Sequence, residues 1–314
     1  MAHTTLAYFG GNIIPVSEAK IGIMTHALHY GTAAFEGIRA NWNEEEGKAF
    51  IFRPRDHFVR LLDGAKVLRM NLGMTVDEMT RALVELVEAS DYKGDMYLRP
   101  IAWKSSQVVA NLKLHEIADD FAIIAVPFGS YLEASVLRCI TSSWRRIDET
   151  MIPPRVKLSA LYVNSILAKT DAVLAGYDEA ILLNSAGYVS EGSGENLFVV
   201  KNGELITPPL SDGILPGITR QTTIQIAHDD LHLRVVERSL GRAELYLADE
   251  VFLTGTAAHL TAVGELDNRK IADGAVGPIT KELQDVYFQV IRGKVPKYRN
   301  WCVTAVPAGA ARVK

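Results

Sequence analysis

Cysteine is nearly absent from the 314 residues: Cys139 and Cys302 are the only two, too few for a disulfide framework. A reducing cytoplasm is the expected setting, with both thiols serving as buried filler. Long hydrophobic runs are missing as well. The longest, Phe121 to Phe128, is less than half of the roughly 20 residues that a membrane helix needs, so no membrane association is expected. The segment Met1-Ala2-His3-Thr4-Thr5 has no basic stretch followed by an apolar one, and no secretion signal is expected from it. Positive charge is not in excess either. With 33 Lys plus Arg against 37 Asp plus Glu, a formal net charge of −4, there is no basic field for nucleic acid. No repeat of fixed period, heptad run, dinucleotide-binding glycine fingerprint or P-loop string occurs. What is present is 48% hydrophobic residues, too many for a disordered chain, in a length beyond the roughly 250 residues at which single cores stop growing. Two domains are expected.

The hydrophobic periods fill in the elements. Phe50-Ile51-Phe52 reads as a strand, followed by a helix with the stripe Phe58, Leu61, Leu62, Ala65 and Leu68. Thr75-Val76-Asp77-Glu78 is a capping box that opens a second helix. Strands are expected at Met96 to Trp103 and Phe121 to Phe128, and later near 137–141, 180–184, 196–200, 205–207, 235–237 and 251–254. Asn202-Gly203 is a hairpin turn, so much of the later sheet should be antiparallel. Leu158, Leu161, Tyr162, Ser165, Ile166, Ala172 and Val173 share one expected helical face; helices are also expected over Thr219 to His232 and Pro278 to Ile291. Pro127-Phe128-Gly129-Ser130-Tyr131 breaks the pattern and is the expected linker.

Four segments carry residues that packing alone does not explain. In Pro153-Pro154-Arg155-Val156-Lys157 a lysine precedes the expected amphipathic helix. Most lysines are solvated; a desolvated one is able to form a Schiff base with a carbonyl. Ser190-Glu191-Gly192-Ser193-Gly194-Glu195-Asn196 crowds two acids and two glycines before an apolar strand. A turn explains the glycines but not both acids, and a carboxylate here suits a protonated ring nitrogen. Leu215-Pro216-Gly217-Ile218-Thr219-Arg220 runs into a helix, either with Thr219 as an ordinary N-cap or with free amides that seat a phosphate. Thr254-Gly255-Thr256-Ala257-Ala258 follows a strand with small residues whose amides suit an anion. His228 and His232, four apart, lack a third ligand, so no metal is expected. His26 and His29 read as structural, and Glu44-Glu45-Glu46 as an exposed loop.

This inventory matches pyridoxal phosphate chemistry. The order of the strings also resembles the fold-type IV aminotransferases, most closely the branched-chain amino acid aminotransferase family. The similarity runs from Tyr8-Phe9-Gly10-Gly11 through the string from His29 to Arg39 to Gly277-Pro278-Ile279-Thr280. The resemblance implies an α/β fold of α+β type. It consists of a small N-terminal α/β domain over 1–126, an interdomain loop over 127–135 and a larger pseudo-barrel domain with antiparallel-rich sheets, binding pyridoxal 5′-phosphate, over 136–314. It makes Lys157 the covalent and proton-carrying lysine and Glu191 the partner of the ring nitrogen. Arg60 and the amides of Ile218, Thr219 and Thr256 would hold the phosphate, Tyr162 the ring oxygen and Leu215 the ring face. Periodicity gives Arg60 no such role, because it falls off the apolar stripe of its helix and reads as a solvated charge.

For the substrate, the same resemblance implies that the α-carboxylate lies against Thr256 and Ala257, with Tyr97 nearby. Tyr30, Phe35, Phe128 and Tyr131 would wall the side-chain pocket, and Arg99 would meet the second carboxylate of glutamate. The implied reaction is transamination between L-leucine, L-isoleucine or L-valine and 2-oxoglutarate by a homodimer or larger homo-oligomer, with pocket residues around Val109 lent by a neighbour. The alternative is D-amino acid or (R)-amine transamination on the same fold, if only as a side activity, with aminodeoxychorismate lyase a further relative. A non-catalytic scaffold would need a lost catalytic residue, and Lys157, Glu191 and Arg60 are all present. The chain departs from the best-known bacterial members in Leu158-Ser159-Ala160-Leu161-Tyr162, where they carry a Gly-Gly-Asn-Tyr type run. It also has Phe128 where a Trp is common.

Overall fold

The computed structural model describes residues 5–129 and 136–307. They group into two compact units, 5–129 with 156–160 and 289–307, and 136–155 with 161–288. Tyr131 and most of the expected interdomain loop lie outside the described residues. The grouping departs from a division at 126 and 136 in two places, each with a backbone reason. Residues 156–160 join the first unit because the Phe35 amide donates to the Lys157 carbonyl at 3.0 Å and Leu158 bridges Ala34. The C-terminal residues join it because a strand at Cys302–Ala305 pairs antiparallel with Lys48–Phe52.

In the first unit the elements run β1 (Leu6–Phe9), β2 (Asn12–Pro15), α1 (His26–Tyr30), β3 (Ala33–Phe35), β4 (Ile38–Asn43), β5 (Lys48–Phe52), α2 (Pro54–Val67), α3 (Val76–Ser90), β6 (Met96–Lys104) and β7 (Asp119–Pro127). With Cys302–Ala305 the strands form one eight-stranded sheet. α2 starts on Pro54, whose fixed φ suits the first helical turn, and buries Phe58, Leu61 and Ala65. α3 opens on the Thr75 capping box as expected, with Glu78 returning the bond to the Thr75 amide at 2.7 Å. The long strand β6 alternates. Met96, Leu98 and Pro100 are buried on one face, while Tyr97 and Arg99 are half-buried on the other, as a strand's period of two requires.

The second unit runs β8 (Val136–Arg145), α4 (Tyr162–Leu174), β9 (Glu179–Leu183), β10 (Val189–Gly192), β11 (Asn196–Lys201), β12 (Glu204–Thr207), α5 (Ile218–Asp229), β13 (Arg234–Glu237), α6 (Arg242–Tyr246), β14 (Glu250–Gly255), β15 (His259–Leu266) and β16 (Arg269–Lys270). α7 (Pro278–Ile291) then leads the chain back into the first unit. Asn202-Gly203 makes the expected antiparallel hairpin between β11 and β12. The nine-stranded sheet is nevertheless mixed, since β8 runs parallel to both β9 and β15, and β12 parallel to β13. Its core joins Leu137, Cys139, Ile181, Leu197, Val199, Leu253 and Val263. Cys139 is filler there, and burial pushes its thiol well above the ordinary range. Cys302, in the first unit, is half-buried with its thiol pushed up to about 12 by burial.

The helical face expected over 158–173 is corrected in two ways. α4 begins only at Tyr162, because Leu158 is committed to pairing with β3 and Ser159–Leu161 form a tighter 3-10 turn. Its buried stripe is Ser165, Ala168 and Ala172, small residues that sit close against Ala180 and Leu182, whereas Ile166 and Val173 are exposed. Among the described residues no helix is long and apolar enough to cross a membrane.

Candidate functional site

The first unit builds one cluster around a break in its sheet. Both β3 and β4 pair with β6, Phe35 opposite Ile101 and Ile38 opposite Leu98. Glu36 and Gly37 fall between them, where Pro100 has no amide to offer and instead accepts from the Glu36 amide at 2.8 Å. The Glu36 side chain is fully buried. Arg60 reaches it with Nε at 2.6 Å and Nη2 at 2.8 Å, and His57 Nδ1 lies 2.6 Å from Oε2. His57 and Arg60 are three apart on α2 and so share a face. Burial alone would raise the Glu36 carboxyl; the charges and hydrogen bonds of Arg60 and His57 outweigh it and hold the group well below the usual carboxylate range. Burial pushes His57 below its ordinary value, with Glu36 opposing, which leaves Arg60 as the charge partner. Arg60 is therefore not the solvated residue that its place off the stripe suggested: it turns inward because a buried carboxylate waits there.

Around this break lie Lys157, Phe35, Arg99, Tyr97 and Phe128, whereas Tyr30 packs elsewhere in the same unit. The Lys157 amine stands 5.2 Å from the centre of the Phe35 ring, and the Arg99 guanidinium covers the same ring at 4.6 Å. Arg99 Nη2 donates to the Tyr97 hydroxyl at 3.0 Å, and the Tyr97 ring packs on Phe128 at 5.0 Å. Gly37 is required here, because a Cβ would lie 2.1 Å from the Tyr97 hydroxyl oxygen. Nε of Arg99 is buried without a hydrogen-bond partner among the described residues, so the guanidinium is not fully spent on protein. Tyr30 ends α1 beside His26, its hydroxyl accepting from the Ala110 amide at 2.9 Å.

The second unit builds another cluster on β10 and β11. Glu191 lies on strand β10, buried, rather than in a loop. Its Oε1 is 2.8 Å from Arg146 Nη2, while Oε2 accepts from Asn196 Nδ2 and from the Leu215 amide, both at 3.0 Å. Asn196 also donates to the Leu215 carbonyl at 2.9 Å, which fixes the approach to α5. Gly217 allows this, since a Cβ would lie 1.9 Å from Oδ1 of Asn196. Gly217, not Thr219, is the N-cap of α5 and supplies no side-chain bond, so the amides of Ile218 and Thr219 keep their anion-binding capacity. α7 offers the contrast, because Glu250 takes the amides of Ile279 and Thr280 at 3.0 and 2.7 Å. Thr256 and Ala257 lie in the tight loop between β14 and β15, which closes on the pair Gly255 and His259. The Thr254 hydroxyl just before it is buried without a partner among the described residues. Tyr162 opens α4, half-buried.

The model of the amino-transferase class IV family matches residues 33–266. A probable branched-chain-amino-acid aminotransferase of Aquifex aeolicus is 51% identical, covering 94% of this chain and 95% of its own length. The chain belongs to the class IV aminotransferases. Solved structures agree. The branched-chain aminotransferase of Thermoproteus uzoniensis, determined with norvaline, is 43% identical with a TM-score of 0.92, over 96% of this chain and 99% of the other. The branched-chain amino acid aminotransferase of Thermobaculum terrenum in its PLP form is 41% identical with a TM-score of 0.89, over 97% and 99%.

Several residues of these clusters were given no role in the sequence reading. Arg146 closes the tripeptide Trp144-Arg145-Arg146 and carries no positional signal of burial. Glu36 was visible as an acid inside the apolar stretch Ala33 to Ile38, but its partners are 21 and 24 residues away. Glu195, the second acid of its segment, belongs to a different group. Lys169 pairs with Glu179 at 2.6 Å and Arg146 with Glu191, so three buried acids share two cations and Glu195 is left over. Burial, the Glu179 charge and, more weakly, the Glu191 charge raise it to about 8. The folded protein therefore holds a proton that the unfolded chain releases from pH 4.5 upward, and this stability is full at acid pH and lost as pH rises to about 8. Glu195→Gln keeps an acceptor for the Gly194 amide, now at 3.1 Å, and cannot ionise. Its urea midpoint at pH 8 is expected to exceed that of the parent protein, with the advantage shrinking toward pH 4.5.

Proposed function

We propose that this chain is a pyridoxal phosphate-dependent transaminase that moves the amino group of L-leucine, L-isoleucine or L-valine to 2-oxoglutarate. The observation that carries the reading is Glu191, a buried carboxylate whose bonds from Arg146, Asn196 and Leu215 hold it in place. The uncapped N-terminus of α5 fits the cofactor's phosphate. The PLP form of the Thermobaculum relative and the norvaline-bound Thermoproteus relative support cofactor and substrate class. When bound, the cofactor supplies an electron sink for the charge that develops at the substrate Cα.

In this reading the chain's residues divide the work. Lys157, its backbone fixed to β3, holds the cofactor covalently and carries the proton to and from the substrate Cα. Glu191 holds a proton at the ring nitrogen. The amides of Ile218, Thr219 and Thr256, with Arg60, hold the phosphate; Tyr162 bonds the ring oxygen and Leu215 covers the ring. Thr256 and Ala257, with Tyr97, take the α-carboxylate. Tyr30, Phe35 and Phe128, with Tyr131, receive the side chain. Arg99 explains how one pocket accepts both substrates. Its guanidinium stands 4.6 Å from the centre of the Phe35 ring, beside the aromatic wall that would receive leucine, and its Nε has no protein partner among the described residues and so keeps a donor for the second carboxylate of glutamate. Exposed Ile21, Ile23, Met24 and Leu28 support a homodimer or larger homo-oligomer, and the two free cysteines support a cytoplasmic setting.

The test is a half-reaction. Protein loaded with pyridoxal phosphate is mixed with L-leucine, without any oxo acid, and the absorbance of the aldehyde form is followed as it converts to the amine form. Conversion is expected with L-leucine and with L-glutamate. Arg99→Leu is expected to slow the glutamate half-reaction about 10- to 100-fold, the value of a charged hydrogen bond, and to affect leucine much less. Conversion by D-alanine or an (R)-amine but not by L-leucine would replace this reading with the alternative activity of the same fold.

A further inference from the structure

Glu191 meets an arginine whose geometry is more specific than an ion pair needs. Arg146 follows β8, its amide donating to the Leu183 carbonyl at 2.9 Å. Its side chain is 7% exposed and that of Glu191 is 6%. Nε donates to the Gly213 carbonyl at 3.2 Å and Nη1 to Ser165 Oγ at 3.4 Å, while Nη2 faces Glu191 Oε1 at 2.8 Å. Three separate parts of the unit, strand β10, helix α4 and the turn before Ile214, thus lock the guanidinium. Arg146 also borders a cavity of about 270 Å³ that is lined by the charged residues Asp148, Glu149, Arg155 and Asp212. The Glu191 charge also acts on Glu195, the acid that burial raises to about 8.

A carboxylate and a ring nitrogen in contact share one proton, and their relative proton affinities decide which atom keeps it. A cation 2.8 Å from the carboxylate lowers the carboxylate's affinity more than that of any group bonded beyond it, because the Coulomb energy falls with distance. Without that cation, burial would favour the neutral carboxylic acid and draw the proton back to Glu191. We propose that Arg146 is a positioning residue that, through Glu191, places the shared proton on the cofactor's ring nitrogen. The inference rests on the functional reading above and adds a residue that acts without touching cofactor or substrate.

The experiment loads the protein with pyridoxal phosphate isotopically labelled at the ring nitrogen and reads its nitrogen NMR shift, which separates protonated from unprotonated rings. The parent protein is expected to show the protonated shift, and Glu191→Gln the unprotonated one. Arg146→Met and Arg146→Gln are expected to move to the unprotonated shift. Their kcat with leucine should fall by about 10- to 100-fold, the effect that loss of a ligand-orienting partner has at metal sites, with little change in KM. Arg146→Lys, which restores the charge, is expected to restore the protonated shift. A protonated ring in Arg146→Met or Arg146→Gln would overturn the proposal. If the apolar variant does not fold, Arg146→Gln, which still donates a hydrogen bond but carries no charge, decides alone. A parent protein that takes up no cofactor, or a Glu191→Gln protein with the parent's shift, would overturn the functional reading itself and this inference with it.

Discussion

Replacing Lys157 with alanine is expected to lower kcat for leucine and 2-oxoglutarate by about four orders of magnitude or more, the scale on which loss of a covalent catalytic group acts. The reason is local. The lysine's backbone is held by the bond from the Phe35 amide and by the bridge between Leu158 and Ala34, neither of which needs its side chain. The variant should therefore keep its fold and still bind pyridoxal phosphate without a covalent link. What it loses is the amine 5.2 Å from the Phe35 ring that attaches the cofactor and moves the Cα proton. Lys157→Arg separates charge from chemistry, because a guanidinium keeps the positive charge but stays protonated and is no nucleophile. It should be as inactive as the alanine variant. Single-turnover kinetics, circular dichroism and the cofactor absorbance check the three parts. Turnover near the parent's rate in either variant would remove Lys157 from the mechanism.

Which parts of this site were legible in the sequence depends on how far apart the partners lie. Local devices were visible. The Thr75 capping box, the Asn202-Gly203 hairpin and the helix Pro278–Ile291 each follow from residues within one or two turns of chain. The strings carrying Lys157, Glu191 and Thr256 were picked out by their resemblance to a known family rather than by their own residues, since most lysines are solvated and small residues after a strand are ordinary. Burial imposed by distant partners was not visible. Arg60 looked solvated because its partner, Glu36, lies 24 residues earlier at a break between two strands. Arg146 had no signal at all, since its three anchors at Ser165, Glu191 and Gly213 are each at least 19 residues away. The stripe expected on α4 failed for a related reason. Periodicity counts large apolar residues, but this helix meets its strands through Ser165, Ala168 and Ala172, where small side chains allow close approach. The parallel pairing of β8 with β9 and β15 likewise depends on crossovers that no turn sequence announces.

Glu36→Gln is expected to destabilise the protein without cofactor by about 3–5 kcal/mol, the cost of leaving one member of a buried ion pair without its counter-charge. The substitution keeps shape and volume, so packing is not the cause. It strips Arg60, 9% exposed, of both carboxylate bonds and leaves His57 with a neutral amide in place of the carboxylate that receives its ring nitrogen at 2.6 Å. The pH dependence gives a second signature. Glu36 lies well below the usual carboxylate range in the folded state, so its contribution is present above pH 4.5 and is lost only as pH falls toward the folded value. The glutamine variant lacks that term, and its urea midpoint should fall less steeply than the parent's below pH 4.5. The third signature links stability to function. If Arg60 also holds the phosphate, the cofactor's dianion supplies the charge that the uncharged amide of the variant cannot, and pyridoxal phosphate should recover part of the lost stability. Urea unfolding of both proteins, with and without pyridoxal phosphate, measures this directly. A larger cofactor-induced rise in midpoint for the variant places Arg60 at the phosphate, whereas equal rises confine it to the structural pair with Glu36.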